Sequence, residues 1–366
     1  MAGFTVKPAP SGRVRIAQIV GNAKLGGVIS CVLNYYRHMD RSRFCFDFFT
    51  YGPSALEQDL RAIDPEARVF YIPALDVTFW KAVPALKRLL REGGYAAAHS
   101  HMTTLSAFAL AAAKGAGVPV RICHAHSTFD RHSDHYRIKA LLRPFAAKDA
   151  THLMACGKKA AENLYRRRAG EAYILPNAID AQRFAPPPEA AHGPAPAREL
   201  LFVGRFVYQK NLPFLLRAFA RARKEREMRL TLVGGGAQEK ELKELCAALS
   251  LGESVRFVPP CDPLPYYREA DLFCLPSRYE GLPVVGLEAQ AAGLPCLFAD
   301  NVDRDADACG GNLFLPLDEG AWAEAMLAPH AKSADNCAKL RERHYDIRAE
   351  AGRLPAYYEE ALRGII

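Results

Sequence analysis

The chain has 366 residues, 50% of them apolar and 24% charged, with a net charge of +8. That composition excludes a mostly disordered chain and leaves room for two domains of ordinary size. Its 10 cysteines stand singly, with no Cys-x-x-Cys pair, which excludes a disulfide framework and a clustered zinc site and predicts reduced thiols. No run approaches the length of a membrane span, and Met1 to Arg13 lacks the apolar core of a signal peptide, so the expectation is a soluble, cytoplasmic protein. The basic residues are dispersed and form no nucleic-acid motif, which predicts no nucleic-acid partner. A modest positive charge suits an anionic nucleotide or an anionic membrane surface.

In chain order, strand-like apolar runs alternate with amphipathic helical stretches. The first half predicts strands at Val14 to Val20, Phe44 to Thr50, Arg68 to Ile72, Ala96 to His101, Val118 to His126, Thr151 to Cys156 and Ala172 to Pro176. Helical patterns fall between them at Val28 to His38, Phe79 to Arg91, Thr104 to Gly115 and His135 to Ala147. A Pro/Ala-rich stretch from Pro186 to Pro196 reads as a linker. The alternation then restarts, with strands at Leu200 to Val203, Leu230 to Val233, Val255 to Val258, Asp271 to Leu275 and Pro295 to Ala299, and helices at Pro213 to Arg226 and Gln238 to Ala248. The predicted fold is therefore α/β, with two doubly wound, Rossmann-like domains at 1–185 and 197–350 facing a central cleft. A terminal amphipathic helix at about 354–366 is expected to pack back on the first domain.

Two segments of the second half carry the sharpest chemistry. Leu200 to Asn211 reads as a buried strand, a Gly204 turn, then Arg205 and Lys210 ahead of a helix, an arrangement suited to clamping a diphosphate. Glu280 and Glu288 stand eight positions apart across Gly281-Leu282-Pro283-Val284, with Pro283 suited to the first turn of a helix. Such a segment offers hydroxyl groups two carboxylates and a phosphate the free N–H groups of a helix start, which is the chemistry of a nucleotide-sugar. In the first half His99 and His101 end one predicted strand and His124 and His126 the next, where a doubly wound sheet binds its ligands. Gly234-Gly235-Gly236 reads as a tight turn rather than a phosphate loop, and the acidic run from Asp303 to Asp307 as a solvated loop, so no metal site is expected.

These motifs, taken together and in this order, resemble the retaining family-4 glycosyltransferases of GT-B architecture. Gly26-Gly27 after the first strand, Pro176-Asn177-Ala178-Ile179-Asp180, Gly204-Arg205 with Lys210-Asn211, and the E-x7-E pair Glu280 and Glu288 carry the likeness. Asn34-Tyr35-Tyr36-Arg37, Arg121 to His126 and Pro276 to Val285 are similar to bacterial capsular and exopolysaccharide enzymes. The resemblance implies that Arg205 and Lys210 hold the donor diphosphate, Glu280 the donor hexose and Glu288 the ribose diol. It implies that Gly26 and Gly27 allow close backbone approach, that His126 rather than His124 lies near the donor sugar, and that the turn at Pro260 meets the base. That turn, Pro259-Pro260-Cys261, departs from the pattern because proline supplies no N–H. The implied activity is retaining transfer of a hexose or N-acetylhexosamine from a nucleotide-diphosphate sugar, with UDP the expected nucleotide, without a metal or other cofactor. The expected acceptor is a lipid-linked sugar, which would place the protein peripherally on the inner face of the plasma membrane during surface polysaccharide assembly. A nucleotide-sugar 2-epimerase and a non-catalytic nucleotide-sugar-binding protein are the competing readings.

Overall fold

The computed structural model describes residues 5–21, 26–53, 56–75, 78–129 and 136–365. The chain divides into two compact units, one built from the residues up to Ala178 together with those from Ile347 onward, the other from Ile179–Asp346. Unit one holds a seven-stranded sheet of β1 (Val14–Gly21), β2 (Phe44–Thr50), β3 (Val69–Tyr71), β4 (Ala97–Ser100), β5 (Val120–Ala125), β6 (His152–Ala155) and β7 (Tyr173–Ile174). Its order is β3-β2-β1-β4-β5-β6-β7 with every neighbour parallel. Helices cover both faces, so β2 is buried along its whole length and reads as a near-continuous apolar run. The one charge inside it, Asp47, is buried but fully engaged: Arg15 lies 2.8 Å away, Arg68 2.6 Å, and the Tyr95 hydroxyl donates at 2.8 Å.

The C-terminal helix Arg353–Ala361 belongs to unit one. Leu354, Tyr358 and Leu362 enter its core, and the Tyr358 ring lies 5.6 Å from Phe44 and 5.8 Å from Phe46. That packing carries the Tyr358 hydroxyl to the middle of the sheet.

Unit two repeats the design with β9 (Glu199–Val203), β10 (Arg229–Val233), β11 (Val255–Val258), β12 (Leu272–Leu275), β13 (Cys296–Ala299) and β14 (Leu313–Leu315), in the order β11-β10-β9-β12-β13-β14. All five pairings are parallel, which is the doubly wound topology with its switch point between β9 and β12. Gly234 adopts φ +146°, and a side chain there would strike the Gly204 carbonyl; the loops after β9 and β10 can touch only because Gly234 has no Cβ.

Two expectations are corrected. The Pro/Ala-rich stretch is not a bare linker: β8 (His192–Pro196) pairs antiparallel with β15 (Pro329–Lys332). A two-stranded exposed ribbon tolerates proline because each strand leaves one side without a ladder partner. Pro283 lies at the N-cap of helix Val284–Ala291, one position before the first turn.

Candidate functional site

The loop after β9 and the loop after β12 bring together residues seventy positions apart. A short 3-10 turn, Tyr208–Lys210, ends at Asn211 in the left-handed conformation and starts the helix Leu212–Arg223. It carries the Lys210 ammonium to 2.6 Å from Glu280 Oε2, both side chains being largely buried. Gln209 donates to Glu280 Oε1 at 3.2 Å and to the Tyr279 carbonyl at 3.1 Å, so both carboxylate oxygens of Glu280 are held from the same turn. Glu280 is further tied by a parallel bridge to Val302. Arg278 lays its guanidinium 4.4 Å from the centroid of the exposed Tyr208 ring, and its Nε is buried without a partner among the described residues. Arg205 is exposed.

Beyond Gly281 and Leu282, helix Val284–Ala291 begins at Pro283. Its first satisfied donors are Gly286 and Leu287, both on the Pro283 carbonyl at 2.9 and 3.3 Å, and the N–H groups before them lack intrahelical acceptors as at any helix start. Glu288 lies on this helix and accepts from the Tyr267 hydroxyl at 3.0 Å. Burial pushes its carboxyl up to about 7, outweighing the Tyr267 hydrogen bond and the nearby Arg183, both of which favour the charged form. Half-neutral near physiological pH, Glu288 can accept from or donate to a hydroxyl. The turn at Pro259 and Pro260 is exposed and lies against Gly235.

In unit one the four strand-end histidines form one buried cluster. His99 Nε2 meets His124 Nδ1 at 3.1 Å, and His101 Nδ1 meets His126 Nε2 at 2.7 Å. Tyr358 reaches His99 Nδ1 at 2.7 Å, Gln18 Oε1 reaches His101 Nε2 at 2.8 Å, and Asn177 Oδ1 reaches His126 Nδ1 at 3.1 Å. Burial, together with repulsion between neighbouring rings, holds His99, His101 and His124 well below the ordinary histidine range; burial takes His126 to about 4. All four are therefore neutral near pH 7. Both nitrogens of His126 are engaged within the cluster, whereas His124 Nε2 is buried without a partner among the described residues. Gly26 is the N-cap of helix Gly27–His38 in extended backbone and leaves that helix start without a side-chain cap.

Each predicted residue thus falls in one of two places: Gly204, Arg205, Lys210, Pro260, Glu280 to Val284 and Glu288 in unit two, and Gly26, Gly27, the four histidines and Asn177 in unit one. Gln18, Tyr358, Gln209, Tyr267 and Arg278 were given no role in the sequence reading. Gln209 and Arg278 adjoin motif residues and could have been found from the motif. Gln18 and Tyr358 are 340 positions apart and carry no local signal.

Two consecutive doubly wound units with these motifs define a GT-B glycosyltransferase, and the comparisons agree. A family model described as glycosyltransferase family 4 matches residues 25–183, and one described as glycosyl transferases group 1 matches residues 197–330. EpsF of Bacillus subtilis, which carries a provisional glycosyltransferase name, is 33% identical over 95% of this chain and 97% of its own. The chain belongs to this glycosyltransferase family. It is also 25% identical, over 79% of its length and 80% of the relative's, to an Escherichia coli enzyme named UDP-Gal:alpha-D-GlcNAc-diphosphoundecaprenol alpha-1,3-galactosyltransferase. In fold it resembles Anabaena HepE crystallised with UDP-glucose, with a TM-score of 0.71, 17% identity and coverage of 96% of this chain and 97% of that one.

Proposed function

We propose that the protein transfers a hexose or N-acetylhexosamine, with retention of configuration, from a UDP-sugar to a lipid-linked sugar acceptor during surface polysaccharide assembly. The observation that carries this reading is the 2.6 Å pair of Lys210 and Glu280 at a strand-to-helix turn that also bears Arg205. A diphosphate is the ligand that can draw Lys210 from Glu280, because it offers more charge and more acceptor oxygens than one carboxylate. Glu280, once released, is placed to accept hydroxyl hydrogen bonds from the sugar attached to that diphosphate. Arg205 and Lys210 then stabilise the charge that grows on the leaving nucleotide as the glycosidic bond breaks. Glu288 takes the ribose diol. The clamp is made of cations and a helix start, and the reading assigns it no metal.

The Escherichia coli relative, whose name specifies a UDP-sugar donor and a diphosphoundecaprenol acceptor, supports both substrate classes. No helix among the described residues is long and apolar enough to cross a membrane. A lipid-linked acceptor therefore calls for peripheral contact with the bilayer on the cytoplasmic side. The test is a thermal-shift screen of nucleotide-sugars followed by the mass and anomeric configuration of the product on a polyprenyl-diphosphate sugar. Stabilisation by UDP-sugars and an added hexose with the donor's configuration are expected. An inverted product, or a free C2-epimerised nucleotide-sugar, would overturn the proposal.

A further inference from the structure

The four histidines, Gln18, Tyr358 and Asn177 make one open hydrogen-bond chain, from His124 at one end to Asn177 at the other, in which the protons share a direction. Three of the rings, His99, His101 and His124, bring one nitrogen each within 4.8 Å of one another, the spacing of a metal site. Whether they could hold a metal, or act on a ligand in another way, depends on which nitrogens carry protons.

Two directions are possible, and they exclude each other. Read outward from Gln18, its Nε2 donates to the Tyr358 hydroxyl at 3.0 Å, Tyr358 donates to His99 Nδ1, and His99 Nε2–H donates to His124 Nδ1. On the other side His101 Nε2–H donates to Gln18 Oε1 and His126 Nε2–H donates to His101 Nδ1, so that Asn177 must turn its NH2 toward His126 Nδ1. Read inward from Asn177 with its oxygen as acceptor, every ring carries its proton on Nδ1 instead, and Gln18 must be reversed. The two ends of an amide have the same shape, so the amides themselves do not choose.

The contact between Tyr358 and His99 chooses. The two atoms lie 2.7 Å apart. The phenol is the more acidic donor of the two and the imidazole nitrogen the more basic acceptor.

We propose that Gln18 is a positioning residue: through Tyr358 and His101 it fixes all four imidazoles as Nε2–H tautomers, so that His124 presents an N–H to an oxygen ligand. Every Nδ1 lone pair then accepts a hydrogen bond and every Nε2 bears a proton, which leaves no lone pair for a metal or for proton abstraction. His124 Nε2 is buried without a partner among the described residues, and the four rings, with Val32, Leu175 and Leu354, line a cavity of about 10 Å³, room for little more than one oxygen atom. A buried donor left unmatched is costly, and an oxygen acceptor at this point recovers that cost. The catalytic consequence rests on the transferase reading above: His124 serves as a fixed donor to a substrate oxygen, either directly or through one water.

Long-range ¹⁵N–¹H spectra of histidine-labelled protein at neutral pH read the tautomers directly. Four neutral rings protonated on Nε2 are expected; His99 or His124 protonated on Nδ1 would overturn the proposal. In Gln18→Glu the carboxylate accepts from Tyr358, which then has no proton left for His99. His99 and His124 should switch to Nδ1–H while His101 and His126 keep Nε2–H, and unchanged tautomers in a folded variant would refute the role of Gln18. If that variant does not fold, Tyr358→Phe cuts the same link, and His99 and His124 should lose their single tautomer while the other two hold theirs; all four unchanged refutes it equally. Turnover is the separate arm, with Gln18→Glu expected to fall roughly 10²-fold, the scale for losing one preorganised donor. Wild-type protein that transfers no sugar from any nucleotide-sugar fails the function reading and leaves the tautomers standing. Switched tautomers with wild-type turnover fail the catalytic role of Gln18 alone.

Discussion

Lys210 and Glu280 form a 2.6 Å ion pair between two loops of unit two. In the proposed reading, two groups that a nucleotide-sugar needs separately are held together by each other. On that reading, a diphosphate bound to Lys210 would free the carboxylate for the sugar and couple the two events. Lys210→Ala should lower turnover roughly 10²- to 10³-fold at saturating donor. Because the residues touch, Lys210→Ala with Glu280→Ala should cost clearly less than the sum of the single changes. Strict additivity in a double-mutant cycle would show that the pair is incidental.

Arg205 differs from Lys210 in being exposed, so its removal leaves no buried charge behind. Arg205→Ala should melt within about 0.5 kcal/mol of wild type and still lose turnover by an order of magnitude or more. Turnover in the presence of a chelator should match that without it, since cations and a helix start hold the diphosphate in this reading. A requirement for added divalent metal would move the diphosphate contact away from Arg205 and Lys210.

Glu288 makes stability depend on pH. Its carboxyl is raised from 4.5 to about 7 by burial, so the folded protein binds a proton there that the unfolded chain releases. Stability from this group is present below pH 4.5 and is lost as pH rises through 7, on the order of 3 kcal/mol at most. Glu288→Gln should remove that loss and melt higher than wild type above pH 7. It should also weaken donor binding more than turnover, while Glu280→Gln should lower turnover and alter the preference among donor sugars. Equal effects of the two changes on donor affinity alone would merge their roles.

The histidine cluster has the reverse sign. With His126 held near 4 and its neighbours also low, the unfolded chain takes up protons first as pH falls below 6.5. Stability of unit one should be intact above 6.5 and fall steadily toward pH 4. Replacing His126 with Gln should flatten that slope, which melting curves across the range would read. A slope unchanged by the substitution would place the acid sensitivity elsewhere.

The parts of the structure that were legible from sequence are those decided locally. Strand runs such as Phe44–Thr50 are apolar because both faces are covered, and Glu280 and Glu288 share a segment whose Gly-Leu-Pro turn announces itself. What escaped were pairings whose reward lies far along the chain. β8 pairs with β15 across more than a hundred residues, and its prolines disguised it as a linker. Likewise the histidines stood out as strand ends, but nothing near them named Gln18 or Tyr358 as the groups that orient them. The ion pair of Lys210 with Glu280 was hidden for a related reason: each was read for a ligand, and their attraction for one another appears only once the loops are folded.

Helix Tyr136–Leu142 buries none of its residues, an unusual state for a segment carrying Ile138 and Leu141. Leu141 is 70% exposed, Ile138 56% and Phe145, in the following turn, 49%, with Arg137 and Arg143 alongside. Apolar side chains that find no core beside cations are what an anionic bilayer surface recruits, each cation near the surface adding about 1 kcal/mol. A second such group in the same unit, Trp80 at 59% with Lys81 beside it, has the same chemistry. A lipid-linked acceptor would give this attachment a use, because its diphosphate never leaves the headgroup layer. The protein should sediment with vesicles containing anionic lipid, and release as salt is raised. Arg137→Gln with Arg143→Gln should weaken that binding, and Leu141→Asp should weaken it at low salt as well, since it removes the apolar contact rather than the charge. Binding that ignores lipid charge, or persists in both variants, would return this helix to the role of an exposed element of unit one.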